Sequence, residues 1–183
     1  MNRHVLAAAA ILALMSLAAA QSPPPYAGLE TRAIKTLSAE QIADLRAGRG
    51  MGLALAAELN GYPGPRHTLD LADQIGLSDD QRARVQNLFD EMTAEAAPLG
   101  ERLVAQEAAL DRLFAERTAD LDTLAIATTA IGETQGELRR VHLKYHVLTR
   151  PLLTSRQMQR YSELRGYAGG GPQQHQHHHM QRH

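Results

Sequence analysis

The chain has 183 residues, with 19 Lys and Arg against 20 Asp and Glu, no cysteine, no tryptophan and two phenylalanines. That balance lacks the basic footprint expected of nucleic-acid or anionic-membrane binding. The missing thiols exclude disulfides, thiol catalysis and thiolate metal sites. The length suffices for one domain with one modest core, which Leu, Ala, Val, Ile and Met must supply.

Arg3 precedes an apolar run from Val5 to Ala20 that closes on Ala18-Ala19-Ala20. A positive start, an apolar stretch and an A-x-A-like end are the layout of a secretory signal peptide. The run is also short for a membrane span, which needs about 20 residues. Residues 1–20 are therefore expected to be removed on export to the periplasm, leaving no membrane span; an uncleaved N-terminal anchor is the alternative. Loss of Arg3 would leave 18 basic against 20 acidic side chains. Residues 21–36 open with Ser22-Pro23-Pro24-Pro25, a stiff polyproline-like leader expected to be flexible.

A helical domain is predicted over residues 37–166. A first short helix runs from Ala39 to about Ala47 and stops at Gly48 and Gly50. Met51 to Leu59 is Ala-rich and suits a second. Asn60-Gly61-Tyr62-Pro63-Gly64-Pro65 is a turn cluster. A third short helix follows from Arg66 to Ile75, with Gly76 at its C-cap.

Two long helices come next. In the first, Val85, Leu88, Met92, Ala96, Leu99, Leu103, Leu110 and Leu113 recur at steps of three and four, with Gln106 filling the one gap. From Asp79 to Glu116 such a helix would be roughly 57 Å long, and Pro98 and Gly100 should kink it without ending it. After a turn near Arg117 and Thr118, the second helix carries Leu121, Leu124, Thr128, Ile131, Gln135, Leu138, His142, Tyr145, Leu148 and Leu152, with Pro151 marking its C-terminal limit or a kink. The short connection makes the two helices antiparallel neighbours. Gly132 and Gly136 leave one face of the second helix bare, which suggests close helix approach or a weak helix. Val85 to Thr123 holds nine acidic and three basic residues, and Glu137 to Arg165 seven basic and two acidic. Antiparallel pairing would set an acidic helix beside a basic one, although each exposed ion pair contributes only about 0–1 kcal/mol. A last short helix starts at Thr154 and ends near Gly166. Residues 167–183 form a Gly/His-rich tail that cannot bury a core.

The pattern Leu-Ser/Thr-x-x-Gln occurs at Leu37-Ser38-Ala39-Glu40-Gln41, Leu77-Ser78-Asp79-Asp80-Gln81 and Leu153-Thr154-Ser155-Arg156-Gln157. Each copy is a capping box, with Ser or Thr at the N-cap and Gln at the third helical position. A cap of this kind contributes about 0.5–2 kcal/mol and by itself has no functional content. The last two copies, Leu77, Ser78, Gln81 and Leu153, Thr154, Gln157, bracket the helical hairpin of a cysteine-free exported chain. In that arrangement the sequence resembles the Spy/CpxP family of periplasmic proteins, with their paired L-T-x-x-Q motifs, over roughly Thr68 to Leu164. It is similar as well to the related heavy-metal-resistance branch of ZraP-like and CnrX-like proteins. Ser78 stands where the family usually has Thr.

The resemblance implies an all-α fold, a long kinked antiparallel helical hairpin with short flanking helices that forms a cradle-shaped homodimer. It implies a periplasmic ATP-independent chaperone or envelope-stress accessory protein. Such a protein binds unfolded or misfolded envelope proteins without a cofactor, or partners a sensor-kinase periplasmic domain or a sigma-factor regulator. A client-binding face would be sought along Val85, Leu88, Met92, Leu99 and Leu103, residues that serve equally well as hairpin core. The alternative is a periplasmic heavy-metal binding or sensing protein for Zn, Ni or Cu. His142 and His146, four apart on one helix, have a spacing that chelates divalent metals; a packed His pair is the competing reading. CnrX-like sensors carry a further His pair ahead of the hairpin. Its places here fall near Thr68 and Ala72, which cannot serve, although His67 is adjacent and Glu91 could supply a carboxylate. The tail histidines His175, His177, His178, His179 and His183, with Met180, form an imidazole cluster suited to the same metals; a solubilising tail explains them too. The sequence contains none of the nucleophile-elbow, P-loop, dinucleotide-binding or zinc-protease motifs, and no enzymatic activity is expected.

Overall fold

The computed structural model describes residues 26–167. The expected signal peptide, the start of the expected leader and the tail histidines lie outside the described residues. The described chain is helical, without a β-strand: α1 Ala39–Arg46, α2 Leu55–Glu58, α3 Pro65–Asp70, α4 Ala72–Ile75, α5 Asp79–Ala115, α6 Leu121–Thr149 and α7 Ser155–Leu164, with 3-10 turns at Leu29–Thr31 and Arg150–Leu152. The expected third helix divides at Leu71, and Gly76 closes α4 in the left-handed conformation, φ 68°.

The long helices α5 and α6 lie side by side and run in opposite senses. Glu95 of α5 meets Lys144 of α6 at 2.6 Å, and Arg102 of α5 meets Glu137 of α6. The second of these pairs reverses the expected charge polarity. The acidic side of α5 is shared with the N-terminal segment instead, through Arg46–Glu101 and Lys35–Asp111. Pro98 sits within α5, which continues past it to Ala115.

The core follows the predicted stripe on α5 and departs from it on α6. Val85, Met92, Ala96, Leu103 and Val104 are buried on α5, and Ile131, Leu138, Val141 and Tyr145 on α6. Thr134 and Thr149 are buried where the apolar pattern had placed Gln135 and Leu148. Each threonine hydroxyl is satisfied: Thr149 donates to the Tyr145 carbonyl at 2.7 Å within α6, and Thr134 accepts from Arg102 Nε of α5 at 3.1 Å. A β-branched residue with a paired hydroxyl is tolerated in an interior where an unpaired one would not be.

Gly100 is not simply a weak point in the helix. A Cβ there would collide with the carbonyl of Leu45, so the glycine lets α1 lie directly on α5. Gly132 and Gly136, by contrast, face open space and serve no approach within the chain. The second half of the leader is not free either. Ile34 is buried, Lys35 N–H donates to Asp111 at 3.2 Å, and the Thr36 hydroxyl donates to Glu107 at 2.9 Å, so residues 34–36 dock on the C-terminal half of α5.

Candidate functional site

All three Leu-Ser/Thr-x-x-Gln copies are capping boxes. Ser38, Ser78 and Thr154 accept from the backbone N–H of Gln41, Gln81 and Gln157, and each glutamine side chain accepts from the N-cap N–H in return. The fold then separates the pair from the third copy. Gln81 Nε2 donates to Gln157 Oε1 at 3.0 Å, and Gln157 Nε2 donates to Gln81 Oε1 at 2.8 Å. The second proton of each amide is also used, by Gln81 on the Leu152 carbonyl at 2.7 Å and by Gln157 on the Gly76 carbonyl at 2.9 Å. Every donor and acceptor of the two amides is engaged, which a buried polar network requires if it is to stabilise. The two motifs are thus one clasp, tying the start of α5 to the start of α7. Gln41 makes only its own box.

The residues first considered as a client face lie inward. Val85, Met92 and Leu103 are buried, and Leu88 and Leu99 are partly buried against the same core. They cannot present an apolar surface without opening the α5–α6 pair. The large apolar side chains that do face solvent lie elsewhere. Phe114, Leu121 and Ile126 are 59%, 84% and 71% exposed around the connection between α5 and α6. Leu55, Leu59, Val147 and Leu148 are exposed on α2, just after it, and on the second half of α6.

His142 and His146 are both buried, beneath the segment that connects α1 to α3. A Cβ on Gly50 would lie 3.2 Å from His142 Nδ1, and Gly64 rests on His146 Nε2. His146 Nδ1 is 2.6 Å from the Tyr62 carbonyl. Both nitrogens of His146 therefore face protein atoms. His142 Nε2 is buried with no hydrogen-bond partner among the described residues. Burial, with a smaller contribution from the charge of His146, pushes the His142 pKa below its ordinary 6.5. This is the environment of a neutral, packed histidine. No group of three or more His, Asp or Glu among the described residues is arranged to hold a metal. His67 pairs with Asp70 at 3.6 Å, and Glu91 is exposed.

Glu58, for which the sequence carried no signal, is the polar centre of this region. It is 6% exposed. It accepts from the Tyr161 hydroxyl, from the Tyr167 hydroxyl at 3.2 Å and from the Gly64 N–H at 3.3 Å, and it pairs with Arg165 Nε at 3.3 Å. Burial and the neighbouring carboxylate together push the Tyr161 phenol far above its ordinary range. The hub fastens α2 to α7, at 103 residues' separation.

No family model, curated protein or solved structure matches the chain. The Spy/CpxP resemblance therefore stands on the motif residues themselves, and the class the structure defines is an all-helical protein built on two long paired helices.

Proposed function

We propose that the protein is an exported, ATP-independent chaperone or envelope-stress accessory protein that holds unfolded polypeptides on an apolar surface of its long helices. The observation that carries this reading is the set of large apolar side chains left in water at the closed end of the α5–α6 pair: Phe114, Leu121 and Ile126. Exposed apolar patches on small soluble domains commonly mark interaction surfaces. Charged residues, Arg112, Glu116, Arg117 and Asp122, lie close to them in sequence, and apolar side chains interspersed with charges favour weak, reversible capture over permanent burial. The reading includes periplasmic location after removal of residues 1–20, a bend in the hairpin at Pro98, and a homodimer whose cradle joins two such surfaces. It makes the protein no enzyme and gives it no required cofactor.

The test is suppression of client aggregation at stoichiometric ratio without ATP, followed by light scattering. Leu121→Asp with Ile126→Asp should abolish suppression and leave the helical content unchanged. A double variant that protects clients as well as the parent would remove this surface from the account. The metal-binding reading passes from the buried His142 and His146 to the tail histidines, and it is tested separately by truncation.

A further inference from the structure

A second feature stands apart from the apolar tip. The segment that connects α1 to α3 arches over α5 and α6 and leaves a cleft of about 680 Å3 beside Glu58 and the two buried histidines. Met51, Leu55, Phe89 and Met92 form its apolar lining. That volume falls in the range of small-molecule sites, and flexible methionines adapt to varied apolar shapes.

The polar lining is rich in guanidinium donors, each paired to one carboxylate: Arg49 with Asp44, Arg66 with Asp70 and Arg165 with Glu58. Arg49, Arg66 and Arg165 line the cleft, and Glu58 is its only acidic residue. Glu58 is already engaged by two tyrosines, a backbone N–H and Arg165, and His146 Nδ1 lies 3.7 Å from it. The three guanidiniums are held in the same manner, by Nε. Arg49 Nε donates to Asp44, Arg66 Nε to Asp70 at 3.0 Å, and Arg165 Nε to the Tyr167 hydroxyl at 3.1 Å. Asp44 and Asp70 lie outside the cleft wall, so they orient the arginines without filling it. Among the described residues, the Nη groups of all three have no hydrogen-bond partner. Arg66 is further fixed over the Phe89 ring, 5.8 Å from its centre. Guanidiniums held by Nε with free Nη donors are preorganised for oxyanions. The buried, unpartnered His142 adds an imidazole to the same wall.

We infer that this cleft binds a small amphipathic anion, with its carboxylate or phosphate on the Arg49, Arg66 and Arg165 forks and its apolar body against Met51, Leu55, Phe89 and Met92. The inference does not rest on the chaperone reading, because the cleft and the tip share no residue. Medium-chain amphiphiles below their micelle concentration test it on the purified protein by calorimetry and by methyl NMR. Decanoate and decyl phosphate should bind saturably at one site. Their dissociation constants should be on the order of 10–100 µM, the range a ligand of a dozen or so atoms reaches. The tighter of the two identifies the headgroup.

Decanol and decyltrimethylammonium should bind at least tenfold more weakly. Arg49→Gln with Arg66→Gln, both exposed positions, should weaken the anions at least tenfold and leave decanol unaffected. Leu55→Asp, also exposed, should weaken the anions at least tenfold by repulsion and weaken decanol as well through the lost apolar wall. The Met51 and Met92 methyl signals should shift and that of Met158, on α7, should not. Absence of saturable anion binding would overturn the inference. So would equal affinity for the cationic amphiphile, or equal shifts at all three methionines.

Discussion

Replacing Gln157 with Ala should destabilise the protein by about 2–3 kcal/mol, far more than a cap residue on its own would. The side chain donates to Gln81 Oε1 at 2.8 Å and to the Gly76 carbonyl at 2.9 Å, and it accepts from the Thr154 N–H at 2.9 Å and from Gln81 Nε2 at 3.0 Å. A neutral hydrogen bond contributes about 1 kcal/mol net, so full loss would approach about 4 kcal/mol. Gln81 and Gly76 are not fully buried and regain water, which brings the expectation down. The diagnostic quantity is the coupling. Gln81→Ala and Gln157→Ala each remove the same two reciprocal bonds, so the double variant should cost about 1–2 kcal/mol less than the sum of the singles. Gln41→Ala removes only its own capping box and should cost about 0.5–1 kcal/mol. Urea unfolding of the parent, the three singles and the double variant, with a common slope, measures all of these. Additivity of Gln81→Ala and Gln157→Ala to within about 0.3 kcal/mol would refute the clasp. A Gln41→Ala cost equal to that of Gln157→Ala would refute the distinction between the copies.

The two kinds of helical glycine should respond oppositely to Ala. Gly100→Ala drives a methyl into the Leu45 carbonyl and should cost at least about 2 kcal/mol, whereas Gly136→Ala, in open space, should stabilise by about 0.5–1 kcal/mol through helix propensity; thermal melts decide both signs. His142 titrates below 6.5 in the folded protein. The unfolded chain therefore binds its proton first, and stability present above pH 6.5 is lost as pH falls toward the folded value. Urea midpoints between pH 7.5 and pH 5 should show that loss, and His142→Leu should flatten it; an unchanged slope would contradict a neutral buried imidazole. Zinc, nickel or copper titrated calorimetrically should bind the full chain at micromolar affinity and bind weakly, if at all, after truncation at Gly171. Retained binding in the truncated chain would return the metal site to the helical domain.

What the sequence made legible was local. Each cap at Ser38, Ser78 and Thr154 is decided within three residues, and the helix limits fell within a few residues of their predicted places. The box at Asp120 and Thr123 has the same geometry but not the same residues, with Asp at the N-cap and Thr in place of Gln at the third helical position, so the motif pattern does not find it. The buried face of α6 departs from the periodic stripe at Thr134 and Thr149, whose hydroxyls are paired, the first with Arg102 of α5 and the second with its own helix. The long-range facts had no local signature. Gln81 meets Gln157 across 76 residues and Glu58 meets Tyr161 across 103. The meaning of Gly100 depends on α1 lying against it, and the docking of residues 34–36 depends on where α5 presents Glu107 and Asp111. The candidate sites changed most. A stripe at helical spacing does not say which side it faces, and here Val85, Met92 and Leu103 are core. Large apolar side chains are exposed instead at Phe114, Leu121 and Ile126, where the spacing runs out near the turn.

The chaperone account is tested most directly by light scattering of a chemically unfolded client diluted into buffer with an equimolar amount of the protein and no ATP. The account predicts strong suppression by the parent and by Gly136→Ala, and loss of suppression in Leu121→Asp/Ile126→Asp at undiminished helicity. Absence of suppression by the parent across several unrelated clients would contradict it.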